Sequence, residues 1–247
     1  MFNLIRKKIK QNAFRKIPRE LLKAFLSGIG LVLVKKTTFM ELENTSHKLN
    51  EFYVRNCSAI FHVGANIGEE RFEYKKFHKK VYWFEANLEI FNILQKNLQN
   101  DKNSFLYNVC LSDKNEITDF WIANNQGQSS SLKEPVKSHI HNQMVSYKKE
   151  AISTRRFDSI FSMKDIPNNS HLVLDVQGSE LEVLLGFGNL ITKFNSIFCE
   201  VTVGLSPYKK SSQYQSVESF LQKQHFLPLI TPKDNFHGNV IFVKSNI

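Results

Sequence analysis

Cysteine is scarce in this 247-residue chain, which has only Cys57, Cys110 and Cys199. The number is odd and no two stand at metal-ligand spacing, which argues against a disulfide framework or a cysteine metal site. Cys110 and Cys199 fall in apolar, strand-like runs, and the expectation is buried free thiols in a reducing compartment. A membrane-length apolar run is also missing. The longest, Ala24 to Val34, has 11 residues and two glycines and is too short to span a bilayer. It begins late and is followed by Lys35-Lys36 rather than a small-residue cleavage site, which argues against a secretory signal.

Excess charge is absent from most of the chain as well. The formal net charge is +10, but residues 1–40 carry ten basic side chains against one acidic, Glu20. That segment is therefore +9, and residues 41–247 sum to +1. A near-neutral globular part argues against a nucleic-acid partner, which calls for a basic face on the domain itself. It favours an N-terminal tail that meets an anionic surface. Phe2, Ile5, Ile9 and Ala13 recur at helical spacing among lysines, and Pro18 and Gly28 suit the start and end of a second helix. Residues 1–40 thus read as a basic helical extension that can lie on an anionic membrane. The plainer reading is a solvated helix packed on the domain or on a second copy in a homo-oligomer. The expected location is cytoplasmic, with peripheral contact at the inner membrane face.

What is present is a globular pattern. Hydrophobic residues make up 42% and charged residues 23%, with 21 phenylalanines to fill a core. The length suits one α/β domain with a short appendage. Ala59 to Val63, Val81 to Phe84, Phe105 to Val109, Leu172 to Asp175 and Ile197 to Val201 read as strands. Helical stretches are expected near 69–79, 88–99, 179–185 and 215–224. Such alternation argues for a parallel sheet with helices on both faces. Phe226 to Ile230 and Val240 to Val243 look like an antiparallel pair at the sheet edge. Ile117 to Ile122 alternates as a strand does, whereas residues 124–150 are polar, show no period and read as a long functional loop. There is no internal repeat.

The strongest local signal is Phe61-His62-Val63-Gly64-Ala65-Asn66-Ile67-Gly68, a strand that enters a tight turn and opens a helix. Gly64 and Gly68 let the backbone turn and approach a ligand. A dinucleotide site wants Gly-x-Gly-x-x-Gly to seat a pyrophosphate. Here Asn66 and Glu69 stand at the second and third glycine positions, and an acidic helix start repels phosphate. An adenosyl sulfonium ligand carries no phosphate, so the turn favours that methyl donor. Val81 to Glu85 then ends a strand in a carboxylate, 17 residues after Gly68, where it can accept both ribose hydroxyls. Ser112-Asp113 follow the third strand, beside the expected adenine. Asp175 and Glu200 each end an apolar strand at the edge where ligands bind.

Together these residues resemble the FkbM family of methyltransferases. The family's Asp-Val-Gly-Ala-Asn-x-Gly reads here as His62 to Gly68, and its Phe-Glu-Pro as Phe84-Glu85-Ala86. Its Asp-x-x-Gly-x-Glu segment reads as Asp175 to Glu180, with Leu185-Gly186 and a later strand ending in Glu200. Ser129 to Leu132 resembles its Ser-Leu segment, and Thr154 to Asp158 the stretch before its fourth strand; the resemblance spans roughly residues 58–230. It implies a Rossmann-like class I methyltransferase fold over residues 41–247, with a mostly parallel seven-stranded sheet and an antiparallel edge hairpin. It implies S-adenosyl-L-methionine as cofactor, held by His62, Gly64, Ala65, Asn66, Gly68, Glu85, Ala86, Ser112, Asp113 and Asp175. The chain departs from the pattern at His62, in place of the acidic residue that helps hold the methionine amino group, and at Ala86, in place of proline.

The resemblance further implies O-methylation, commonly of a sugar hydroxyl in glycan or natural-product assembly. A basic N-terminus suits an acceptor on a lipid carrier. A hydroxyl acceptor must lose its proton to a base or a metal. Asp175 and Glu200 are the catalytic candidates, and no ligand set points to a divalent metal. Ser131, His139 and Gln177 are the acceptor candidates, with His141 beside them in the polar stretch. The rival readings are a nicotinamide-dependent oxidoreductase and a non-catalytic membrane-associated assembly protein on the same fold.

Overall fold

The computed structural model describes residues 39–137, 145–232 and 237–245. All belong to one compact unit, Thr37–Ile247. The basic extension, its two helices and its apolar run lie, except for residues 39 and 40, outside the described residues. Among those described, no helix is long and apolar enough to cross a membrane.

The unit begins with helix α1 (Phe39–Asn56), which periodicity did not reveal. Its buried stripe runs through Ser46, Leu49, Asn50 and Val54 at helical spacing. Two of those four are polar, so the stripe does not read as apolar. The partner of Asn50 explains the choice. His171 meets Asn50 Oδ1 through Nε2 at 2.8 Å and Ser196 Oγ through Nδ1 at 2.7 Å. A neutral imidazole with one donor and one acceptor ties α1 to two strands.

Next come β1 (Ala59–Val63), α2 (Arg71–Lys76), β2 (Lys80–Glu85), α3 (Leu88–Leu98) and β3 (Ser104–Asn108). The short β4 (Cys110–Leu111) leads to β5 (Ile117–Ala123) and β6 (Tyr147–Arg155). The chain continues through β7 (Ser170–Leu174), α4 (Glu180–Gly186), β8 (Phe194–Thr202), α5 (Tyr214–Lys223), β9 (Phe226–Pro228) and β10 (His237–Lys244). Seven strands form the main sheet in the order β3-β2-β1-β7-β8-β10-β9. The pairs from β3 to β8 are parallel, and β10 is antiparallel to both β8 and β9. This is the expected mostly parallel α/β sheet with an antiparallel edge. The strand order reverses between β1 and β7, which opens a crevice at their carboxyl ends.

The central strands are apolar because both of their faces are covered. Every residue of β1 and β7 is buried. On one face Phe61 stacks on Tyr82 at 4.3 Å and meets Phe157 and Phe194 edge-on. Phe157 stacks in turn on Phe187 at 3.9 Å. Alternation along the strand sends His62 to the other face, where it stacks on Trp83. All three cysteines are free and buried.

One expectation is corrected. The polar stretch 124–150 is not loop throughout, because β6 begins at Tyr147 and pairs antiparallel with β5 from Ile117↔Ser153 to Ala123↔Tyr147. With β4 parallel to β6, these strands form a second sheet in the order β4-β6-β5. Most of β6 faces solvent, so it has no apolar alternation to reveal it. Its side chains pair across the ladder instead, as Lys149 does with Asp119 and the Trp121 ring.

Candidate active site

The turn after β1 is shaped by a near-collision. Gly64 N and Ala65 N both donate to the Phe84 carbonyl at 3.0 Å, while Asp175 N donates to the Val63 carbonyl at 3.1 Å. The ends of β1, β2 and β7 are thereby drawn together. Gly64 has a φ of 83°, and a Cβ there would lie 1.7 Å from the Asp175 carbonyl oxygen. Only glycine allows this contact. Gly68 answers a different need, since its Cβ would meet Leu94 of α3 at 2.6 Å. It seats α3 and does not face the cavity.

Glu85 ends β2 and is 8% exposed. Its Oε2 accepts Asn66 N at 2.9 Å and its Oε1 accepts Asn87 N at 2.8 Å. Burial raises its pKa, and these backbone donors oppose that rise. Each oxygen keeps a second lone pair for a ligand hydroxyl. Asn87 then caps α3 by accepting Glu89 N at 3.0 Å. Asn66, at φ 46°, has a further role, because its Nδ2 donates to the Gln126 carbonyl at 3.1 Å.

These elements enclose a cavity of about 320 Å³. His62, Gly64, Ala65, Asn66, Glu85, Ala86, Asp175 and Gln177 all line it. Gly68, Ser112, Asp113, Ser131 and Glu200 are not in the wall. His139 and His141 lie outside the described residues. For Ser112 and Asp113 the structure supplies another occupation. Ser112 Oγ donates to Asp113 Oδ1 at 3.2 Å, and Arg156 Nη1 donates to the Asp113 carbonyl at 2.7 Å. The wall expected from them comes instead from Val109, Cys110, Leu111 and Phe120, with Leu132 from the polar stretch. The apolar run Val109 to Leu111, just ahead of Ser112, is the signal that marks it.

Gln177 joins the two candidate bases. It sits at φ 54°, and its Nε2 donates to Asp175 Oδ1 at 2.7 Å and to Glu200 Oε2 at 2.9 Å. Tyr208 Oη lies 3.0 Å from both Gln177 Oε1 and the Ser129 carbonyl, and its single proton is shared between these two acceptors. Ser131 Oγ donates to the Gln177 carbonyl at 2.7 Å. Ser131 and Glu200 thus act on the wall through Gln177. On its far side Glu200 faces His237 Nε2 at 3.5 Å. The segment 124–137 is held over the cavity by Ser131, by the Lys133–Glu182 ion pair and by Val136 N bonding the Pro207 carbonyl. It contributes Gly127, Gln128, Ser130 and Leu132 to the wall.

The charge of the wall is one-sided. Glu69, Glu70, Glu85 and Asp175 line it, and among the described residues it contains no lysine or arginine. His62 does not offset them. It is 3% exposed, and burial lowers its pKa, so the ring is neutral. The Tyr74 hydroxyl, whose pKa burial raises well above the usual value, shares a hydrogen bond with His62 Nδ1 at 3.1 Å. Such a wall suits a cationic adenosyl ligand and opposes a pyrophosphate. Apolar side chains, the doubly held Glu85 carboxylate and the carboxylates of Glu69, Glu70 and Asp175 thus share one wall. Among the described residues no group of three or more His, Cys, Asp or Glu is placed to hold a metal ion.

Comparison with known proteins identifies the family. Residues 62–228 match the family model described as the methyltransferase FkbM domain. The chain is 26% identical over 151 residues to the 2-O-methyltransferase NoeI of Sinorhizobium fredii (strain NBRC 101917 / NGR234). That match covers 57% of this chain and 62% of the relative, so the chain spans less than two thirds of the relative's length. Among solved structures, M. capricolum TrmK with S-adenosyl-homocysteine aligns at a TM-score of 0.45 and 13% identity, over 86% of this chain and 70% of that one. Magnesium protoporphyrin IX methyltransferase (ChlM) from Synechocystis PCC 6803, with bound SAM, aligns at 0.43 and 8% identity, over 97% of each chain.

Proposed function

Because the chain belongs to the FkbM methyltransferase family, we propose that it is an S-adenosyl-L-methionine-dependent O-methyltransferase acting on a sugar hydroxyl in glycan or polysaccharide biosynthesis. The observation that carries the cofactor is the cavity wall, with its carboxylates, its neutral histidine and, among the described residues, no lysine or arginine. The oxygen acceptor draws support from the name of the 26% identical relative, a 2-O-methyltransferase.

The residues present fit the cofactor. Gly64 and Ala65 give the close backbone approach, Glu85 receives the ribose hydroxyls, and Leu111 and Phe120 flank the adenine. When bound, S-adenosylmethionine supplies a methyl group on a positively charged sulfur, and S-adenosylhomocysteine is what remains. The chain's own residues must place the acceptor oxygen in line and remove its proton, and positioning is a large part of the catalysis. Asp175 is the base: it lines the cavity, and Gln177 holds its Oδ1. Glu200, on the same amide, is a positioning residue that shares the Gln177 donor with Asp175. The basic residues 1–40 are proposed to hold the protein against an anionic membrane face, near a lipid-linked acceptor.

Two measurements test this reading. Calorimetry should give binding of S-adenosylhomocysteine and none of NAD; the reverse pattern overturns the cofactor. Screening nucleotide sugars and lipid-linked glycans for methyl uptake should find an acceptor with the wild type and none with Asp175→Asn. Undiminished transfer by that variant would remove Asp175 from the base role.

A further inference from the structure

The position where the family carries an acidic residue is occupied here by a histidine that has no charge to offer. His62 is buried, stacked on Trp83, and bonded through Nδ1 to Tyr74. It cannot pair with an ammonium group, yet the end of the cavity it borders is strongly anionic. Glu70 and Asp175 both act electrostatically on the His62 ring, one from the start of α2 and one from the end of β7. Glu70 is exposed to the cavity it lines. The neighbouring cation does not neutralise it. Arg71 donates from Nη1 to the Gly68 carbonyl at 2.7 Å and lies over the Phe72 ring at 4.1 Å. A further feature at this end points to a ligand. Ser179 lines the cavity at 2% exposure, and its hydroxyl has no hydrogen-bond partner among the described residues. A buried hydroxyl left in that state has a bond to give.

We infer that in this chain Glu70, rather than residue 62, receives the α-ammonium group of the cofactor's amino-acid end, with Asp175 beside it and the Ser179 hydroxyl facing the accompanying carboxylate. The assigned charge stands at the start of α2, one helix-opening turn from the end of β1, where His62 and Tyr74 form a neutral pair. This assignment rests on the cofactor reading above.

Titration calorimetry of the full chain with two ligands separates the two ideas. S-adenosylhomocysteine carries the amino-acid end; methylthioadenosine keeps the adenosine and sulfur but lacks that end. Glu70→Gln should weaken S-adenosylhomocysteine binding roughly two- to fivefold, the range of one exposed charge pair, and leave methylthioadenosine unchanged. Glu73→Gln, on α2 but outside the wall, should leave both unchanged. Equal losses of both ligands in Glu70→Gln, no loss at all, or a selective loss in Glu73→Gln instead would overturn the assignment. A wild type that binds neither ligand would overturn the cofactor reading itself.

Discussion

Gly64 and Asp175 touch through their backbones: a Cβ on the glycine would lie 1.7 Å from the aspartate's carbonyl oxygen. The contact joins the turn proposed to cradle the cofactor to the strand end that carries the proposed base. Gly64→Ala must therefore push β1 and β7 apart or adopt a φ unfavourable for alanine. A loss of stability above about 3 kcal/mol is expected, since strain at a positive φ and overpacking act together. Urea denaturation measures it, and S-adenosylhomocysteine binding should disappear in the same variant.

The Glu85 carboxylate accepts two backbone donors, so the amide of Glu85→Gln would turn an N–H against one of them. Its burial makes that mismatch expensive. The expected cost is about 1–3 kcal/mol in stability, with roughly tenfold or greater weakening of S-adenosylhomocysteine. Calorimetry beside thermal denaturation separates the two effects. Unchanged affinity in a folded variant would take the ribose role away from Glu85.

His171 makes stability depend on acid. Burial lowers its pKa from 6.5 to about 3. The fold therefore holds the neutral ring, while the unfolded chain takes up a proton below pH 6.5. The contribution is fully present above 6.5 and falls away as pH drops toward 3. Between pH 6.5 and 4.5 the loss should be about 2–3 kcal/mol. His171→Gln should start less stable at pH 7 and show a flatter acid limb in denaturation curves. An unchanged limb would refute the buried neutral state.

Glu180 has the opposite sign. It is 2% exposed, accepts Gly178 N at 2.8 Å, and burial pushes its pKa from 4.5 to about 8. The folded state keeps a proton that the unfolded chain releases above pH 4.5. Its stabilising contribution is thus complete below 4.5 and lost as pH rises to 8. Glu180→Gln keeps an acceptor for Gly178 and removes the ionisation. The variant should gain on the wild type progressively from pH 5 to pH 8, by a few kcal/mol at the upper end. A gain independent of pH would show that the carboxyl ionises freely.

The parts of the site that sequence revealed are those where backbone need and chemistry coincide. Gly64 must be glycine, Glu85 and Asp175 must end their strands, and the apolar runs before them mark those strands. The apolar side of the cavity was less legible. Ser112 and Asp113 have the polar atoms that invite assignment, but the wall is built by the plain Leu111 and Phe120. Gly127 and Leu132 enter it from a stretch with no period, because that stretch is positioned by bonds from Asn66, Tyr208 and Ser131 rather than by its own amphipathicity. The helix Phe39–Asn56 was hidden for a related reason. Its core-facing Ser46 and Asn50 are polar, and Asn50 meets a histidine 121 positions further on.

The cavity belongs to neither sheet alone. Its floor comes from the carboxyl ends of β1, β2 and β7, while Leu111 and Phe120 come from the sheet of β4, β5 and β6. A molecule seated there touches both layers, so its binding energy also works as adhesion between them. Occupancy should therefore slow amide hydrogen exchange in β5 and β6, strands that contribute little to the wall themselves. The hairpin then becomes a remote gauge of whether the cofactor is in place.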